Sequence, residues 1–322
     1  MRRRDFIVAM GGAAALPTLA RAQQAQRVRR VGLLYDLTNV PKGLRDALEK
    51  LGWVEGRNLK LDLRYGEGDS DRLRAYAAEL VSLKPDVIVV SGPAQTKAVQ
   101  QQTQTIPIVF GSVGDPVAAG IVKSVARPEG NATGITNGFS SLGGKRVQLL
   151  KEAVPTIERV AHVHNPQDQP EDSYFAAIDE AARALDLQLI TIPYRNAVDF
   201  ERAIEAFAAE PNGGAIVNAN VAYIYSQPLF FELMIKHRLP AIYYREGNLV
   251  AEGGLMAYGL NAEEAFRRLA SHVDRILRGA KPGDLPIEYP TRFDLTVNLK
   301  AAEAIGIMFS ETFLLRADKI IE

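Results

Sequence analysis

Short apolar runs alternate with longer amphipathic segments along most of the chain. The run "RVGLLY" (30–35) precedes "GLRDALEKLGW", in which Leu44, Ala47, Leu48 and Leu51 recur at the i, i+3, i+4, i+7 spacing of a helix face. Then come "LKLDLRY" (59–65), a helical pattern over 71–83, "DVIVVSG" (86–92), a second over about 94–104, and "IPIVFGS" (106–112). Runs such as "DVIVV" are apolar throughout instead of alternating, as expected of strands covered on both faces. Strand and helix in short succession predict a parallel sheet with right-handed crossovers.

The series then restarts. "RVAHVHNP" (159–166) opens it, and a helical pattern over 172–186, "LQLITIPY" (187–194), a helix over 199–209, "GAIVNAN" (214–220), a helix over 225–237 and "LPAIYYR" (239–245) follow. Val31 and Val160 lie 129 positions apart, Val87 and Ala215 lie 128 apart, and Ile106 and Leu239 lie 133 apart. Three strands in the same order at nearly constant separation predict two similar α/β lobes. Open parallel sheets bind ligands in crevices outside the carboxyl ends of their strands, so two such lobes make a cleft with matching walls. Beyond the repeats, "GLMAYGL" (254–260) reads as a strand. Residues 261–279 read as a complete helix with an Asn261 cap, acidic first turn and terminal Gly279. The following "KPGDLPIEYPTRFDLTVNLKAAEAIG" holds three prolines and two apparent strands. A tail adding elements to both lobes makes the chain cross between them more than once.

The first residues stand apart from this pattern. "MRRRDFIVAMGGAAALPTLARAQQ" has a basic start, an apolar stretch from Phe6 to Leu19 that is too short to span a bilayer, and Ala20-Arg21-Ala22. Cleavage after Ala22 is expected, and Arg3-Arg4-Asp5-Phe6-Ile7 fits a twin-arginine export address. An unstructured start on a cytoplasmic protein is the alternative. Lys+Arg and Asp+Glu both number 38 in the 322-residue chain, so no basic field points to nucleic acid. Without residues 1–22 the balance becomes 34 basic to 37 acidic. The absence of cysteine excludes disulfides, thiol catalysis and zinc thiolates.

Nine stretches together resemble the substrate-binding proteins of ABC transporters. They are "LGWVEGRNL", "AAELVSLKPDVIVVSG", "IPIVFGSVGDPVAAGIV", "ARPEGNATGIT", "LGGKRVQLLKEAVP", "EPNGGAIV", "HRLPAIY", "VDRILRGAKPGDLP" and "NLKAAEAIG". The resemblance is closest to a subfamily of exported binders related to aromatic amino acid receptors. It implies a type I periplasmic binding protein: α/β, two doubly wound parallel-sheet lobes joined by a three-crossover hinge. Residues 28–135 plus about 262–285 are expected in the N-terminal lobe, and about 136–261 plus 286–322 in the C-terminal lobe. The resemblance further implies a periplasmic monomer that closes over a small organic molecule, docks on a permease of the inner membrane, and carries no cofactor and no catalytic group. The chain departs from the family at His162 and His164, where members carry an apolar run, and in "DLTNVPK" and "NANVAYIYSQ".

Candidate ligand-binding residues cluster where strands end. Asp36, Thr38 and Asn39 follow the first strand, although such residues also favour ordinary turns. Ser91, Gly92, Pro93, Ala94 and Gln95 close the third strand and open a helix whose free N–H groups suit a carboxylate; a plain cap is the alternative. Ser112, Val113 and Asp115 follow the next strand, with Asp115 a partner for a ligand amine; "GSVGDP" lacks the Lys and spacing of a phosphate loop. In the second lobe, Asn165, Asn218 and Asn220 end strands, Tyr174 lies near the start of a helix, and Tyr244, Arg245 and Glu246 follow the last repeat strand. Arg245 suits a bidentate carboxylate grip or a rim ion pair with Glu246. Tyr223, Tyr225, Tyr243 and Tyr244 offer aromatic walls or lobe core. His162 and His164 share a strand face, but with Asp168 they fall short of a closed zinc set. An exported hydrolase on the same scaffold would need a nucleophile elbow or H-E-x-x-H, and neither occurs. A membrane kinase reading the same cleft stays open, while a repressor would need a DNA-binding segment where the leader lies.

Overall fold

The computed structural model describes residues 27–36, 41–164, 172–194, 196–218, 221–244 and 248–322. Residues 1–22, where the sequence predicts a leader, lie outside them. Among the described residues no helix is long and apolar enough to cross a membrane.

The chain begins with β1 (Arg29–Tyr35), α1 (Pro41–Lys50), β2 (Leu59–Tyr65), α2 (Ser70–Ser82), β3 (Val87–Ser91), α3 (Pro93–Gln102), β4 (Ile108–Val113) and β5 (Ala132–Thr136). Their strands form one all-parallel sheet in the order β2-β1-β3-β4-β5. The second series is α4 (Phe139–Ala153), β6 (Arg159–His164), α5 (Asp172–Ala184), β7 (Gln188–Pro193), α6 (Ala197–Ala208), β8 (Gly213–Val217), α7 (Val221–Lys236), β9 (Ala241–Tyr243), α8 (Asn248–Ala251) and β10 (Met256–Leu260). The tail adds α9 (Ala262–Leu277), β11 (Phe293–Asn298), α10 (Leu299–Ile305), α11 (Glu311–Leu314) and β12 (Lys319–Ile321). The second sheet runs β12-β11-β10-β9-β8-β6-β7, parallel except between β10 and β11.

The repeat in the sequence is a repeat in space. β7-β6-β8-β9-β10 has the order of β2-β1-β3-β4-β5, with Val31 paired to Leu61 and Val87, and Val160 to Leu189 and Gly214. The two proline stretches serve one purpose. Pro107 O accepts from Ile88 N at 2.8 Å, and Pro240 O accepts from Ala215 N at 2.8 Å. Proline has no N–H to give a ladder, yet its carbonyl starts the pairing with the neighbouring strand in each lobe.

Each sheet is covered on both faces. Val31, Leu33 and Tyr35 pack with α1 and α9, whereas Leu34, Ile88 and Val90 pack with α2 and α3 on the other side. In the second sheet, α4, α5, α10 and α11 cover one face and α6, α7 and α8 the other. Helix α9 follows the second series in sequence, yet Leu269, Val273 and Ile276 enter the core of the first lobe and Asp274 accepts from Trp53 Nε1 at 2.8 Å. Its start follows the expected grammar, with Asn261 Oδ1 accepting from Glu264 N at 2.8 Å.

The chain therefore passes between sheets three times, after β5, after β10 and before β11. The proline-rich tail holds one full strand, β11, and not two. Residue Glu288 makes only an isolated bridge to Ile135 of β5, because Pro286 and Pro290 on either side have no N–H to extend a ladder. Residues 287–288 thus still pair with the first lobe, Ile287 N donating to Val125 O and Glu288 N to Gly134 O.

Gly134 sits where β5 meets an irregularity in β4. A Cβ there would lie 2.0 Å from Phe110 O, a backbone atom that cannot step aside, whereas a Cβ at Gly111 meets nothing closer than 3.7 Å. Gly134→Ala should therefore lower stability by about 3 kcal/mol or more, and Gly111→Ala by about 1 kcal/mol or less. Urea unfolding followed by circular dichroism measures both, and equal losses would contradict the packing described.

Candidate functional site

The candidate residues of the first wall lie at the carboxyl ends of β1, β3 and β4. Gln95, buried in the first turn of α3, donates from Nε2 to Asp36 Oδ2 and so ties the end of β1 to the start of the helix. Gly92 precedes that helix at φ 103°, ψ 163°, a conformation that suits glycine. No side chain caps α3, and Pro93 at its start brings no N–H. The first-turn amides of Ala94 and Gln95 are therefore the donors that this helix end presents. Ser91 closes β3 beside them.

Ser112 is exposed and adopts φ 57°, where the pairing of β4 with β5 shifts register. A non-glycine residue in the left-handed region marks local strain, here at the carboxyl end of β4. Val113 is instead buried in the lobe core. Asp115 Oδ1 accepts from Val117 N and Ala118 N, both at 2.9 Å, so this carboxylate closes a turn.

The second wall is aromatic. Asn218 follows β8, and its Nδ2 lies 3.4 Å from His162 Nε2 on β6. The His162 ring stacks on His164 with centroids 5.3 Å apart and meets Phe175 at 5.7 Å and Tyr174 at 6.0 Å. Tyr174 is only 1% exposed, and its hydroxyl accepts from Arg146 Nη1 at 2.8 Å, which makes it an interior support. Tyr243 is likewise core, edge-on to Phe231. Tyr244 is half-buried after β9, and its carbonyl accepts from Arg146 Nη2 at 2.8 Å.

Sequence reasoning misses Arg146. It is 0% exposed on α4, and Nε also donates to Tyr258 O of β10 at 2.9 Å. Its guanidinium lies over the rings of Tyr174 and Tyr244, 5.6 and 5.8 Å from their centroids. The available signal is the Gly143-Gly144 pair just before it. A Cβ on Gly143 would stand 2.7 Å from Tyr174 O and one on Gly144 3.1 Å from Ala177 O, so these glycines let α4 and α5 approach closely. Thr38, Asn39, Asn165, Asp168, Asn220, Arg245 and Glu246 lie outside the described residues, as do the side chains of Tyr223 and Tyr225. Among the described residues no group of three His, Asp or Glu could hold a metal ion.

The model of the ABC transporter substrate binding protein family matches residues 36–321. The chain belongs to that family. The binding protein is 24% identical over 271 residues to the tyrosine-binding protein of Clostridioides difficile (strain R20291), covering 84% of this chain and 77% of the relative. A conserved domain protein from Vibrio cholerae O1 biovar eltor superposes with a TM-score of 0.82 at 26% identity, over 91% of this chain and 100% of that one. An ABC domain from Streptococcus pneumonia in complex with L-Trp gives the same TM-score, 0.82, at 19% identity and the same coverages of 91% and 100%. The fold is thus that of the type I periplasmic binding proteins.

In the binding protein the crossovers are stitched to one another. Arg268 of α9 donates to Glu264 Oε1 at 2.7 Å, to Glu288 Oε2 at 2.7 Å and to Thr291 Oγ1 at 2.8 Å. Asn261 N donates to Arg292 O at 3.2 Å, which links the second crossover to the third. Gly138, at φ 60° in the first, packs where a Cβ would meet Pro290 Cγ at 2.9 Å.

Burial, and then the neighbouring His164, lower the pKa of His162 to about 4. An unfolded imidazole titrates near 6.5, so between the two values the unfolded chain binds a proton that the native protein refuses. Stability should therefore fall as pH drops from about 6.5 to about 4, by up to roughly 3 kcal/mol from this residue, and be unaffected by it above that window. His162→Gln should remove that part of the slope in denaturant titrations. An unchanged slope would show that His162 charges freely in the native state.

Proposed function

We propose that the protein is an exported receptor for an aromatic amino acid, delivering it to an ABC permease of the inner membrane. The reading is supported by two unlike surfaces at the carboxyl ends of the two sheets, an uncapped helix start in the first lobe and an aromatic and imidazole surface in the second. The amides of Ala94 and Gln95, with Ser91, suit the ligand carboxylate. Asp36, held in place by Gln95, supplies a negative partner for the ammonium group. The side chain of the ligand then lies toward His164 and Tyr244. The names of the relatives, one tyrosine-binding and one bound to L-Trp, support the same ligand class.

Closure follows from the hinge. A ligand touching both walls favours the closed arrangement over the open one and shifts the balance between them. The Ala20-Arg21-Ala22 pattern supports export, with the periplasm as the destination. The reading is of a binder and not a catalyst, in keeping with the substrate-binding family to which the chain belongs.

Thermal unfolding of the purified protein with L-tyrosine, L-tryptophan, L-phenylalanine, L-leucine and D-arabinose tests this. An aromatic amino acid at about 100 times its dissociation constant should add about 2.7 kcal/mol of stability. Gln95→Leu, which frees Asp36, should weaken that binding about tenfold or more, equivalent to about 1.4 kcal/mol. Stabilisation by the sugar alone, or by no aromatic amino acid, would contradict the proposal.

A further inference from the structure

Two polar atoms at the candidate second wall are buried without a partner among the described residues, His162 Nδ1 and Asn218 Oδ1. They belong to neighbouring side chains on adjacent parallel strands, His162 two residues before the end of β6 and Asn218 just after β8, with Asn218 N donating to Val163 O at 2.9 Å. His162 is 4% exposed. Leaving a buried donor or acceptor unmet costs about 1–3 kcal/mol, so an orphaned pair at the edge of a binding cleft calls for a ligand group.

The internal repeat sharpens the contrast. In the first lobe the position equivalent to His162 is Leu33, which pairs with Val89 as His162 pairs with Ile216. The same place in the same fold is filled by an apolar side chain without difficulty. The second lobe carries an imidazole there, in an aromatic setting that does nothing to satisfy it.

We propose that His162 and Asn218 form a subsite that reads a hydroxyl group at the end of the ligand's ring. Burial keeps His162 neutral, with one N–H. With Asn218 Nδ2, 3.4 Å from Nε2, as the donor, the proton resides on Nδ1, which meets no acceptor among the described residues. Nδ1–H is then a donor and Asn218 Oδ1 an acceptor, and a hydroxyl both accepts and donates. With the amide turned over the two roles exchange and a hydroxyl still meets both. A charged tip would enter without a counter-charge, and an apolar tip would leave both atoms unmet. The subsite rests on the aromatic amino acid reading of the cleft.

Calorimetric titration of the purified protein with L-tyrosine and L-phenylalanine tests it. The wild type should prefer L-tyrosine by at least about tenfold, since a site built to bond a hydroxyl rejects the analogue that lacks it. In His162→Leu and in Asn218→Ala the preference should shrink to about threefold or less, through loss of L-tyrosine affinity, with L-phenylalanine nearly unaffected. Ligand-free His162→Leu should melt no lower than the wild type, because Leu33 shows that the slot accepts leucine; a purely structural role for His162 would make it melt lower. A preference that survives in both variants overturns the subsite. Equal binding of both amino acids by the wild type overturns it too, and leaves the aromatic receptor standing. Binding of neither removes the receptor reading and the subsite together.

Discussion

A fully buried arginine is expensive to keep in a protein interior unless its donors are met, and the second wall of the cleft is organised around one. Arg146 reaches Tyr174 on α5, the carbonyl of Tyr244 beyond β9 and that of Tyr258 on β10. Those three elements are far apart in sequence, and their cleft ends converge on one guanidinium. The planar fork of arginine fixes their relative placement in a way that a lysine could not. The contact is possible only because Gly143 and Gly144 bring α4 against α5. Backbone space, buried charge and the position of the aromatic wall are therefore one linked arrangement.

The lobes share a topology and differ in chemistry. The first presents backbone amides at a helix start and a carboxylate pinned by a glutamine. The second presents rings, two of them imidazoles. Duplication explains the common frame, in which both proline stretches hand a carbonyl to the adjacent strand. The difference arises at the strand ends, where loops can vary without disturbing the sheets. A cleft with one polar and one aromatic wall suits a ligand with a zwitterionic end and a ring.

Much of this frame is legible in the chain. Strands buried on both faces announce themselves as unbroken apolar runs, and β3 and β8 do so plainly. The repeat spacing foretells the matched sheets, and Asn261 with its acidic first turn foretells α9. The packing of α9 on the first lobe, by contrast, depends on contacts such as Trp53 with Asp274 that no local pattern encodes. At the candidate site, Asn218 stands out in the sequence because it sits where a strand gives way to a polar residue, and Gln95 because it opens the helix that follows one. Arg146 is not, since an arginine on an amphipathic helix reads as surface, and its partners come from three later segments. Tyr174 and Val113 look like cleft groups in sequence because strand ends and helix starts border both the cleft and the core. Asp115 resembles a ligand group for the same reason, and one of its oxygens accepts from two turn amides.

On this account a single ligand bridges both walls and draws the lobes together about three stitched crossovers. Small-angle X-ray scattering of the purified protein, with and without saturating L-tyrosine, tests that most directly. A smaller radius of gyration and maximum dimension in the bound sample are the predicted result. Saturated binding with an unchanged scattering curve would contradict it, because the ligand would then be held by one lobe alone.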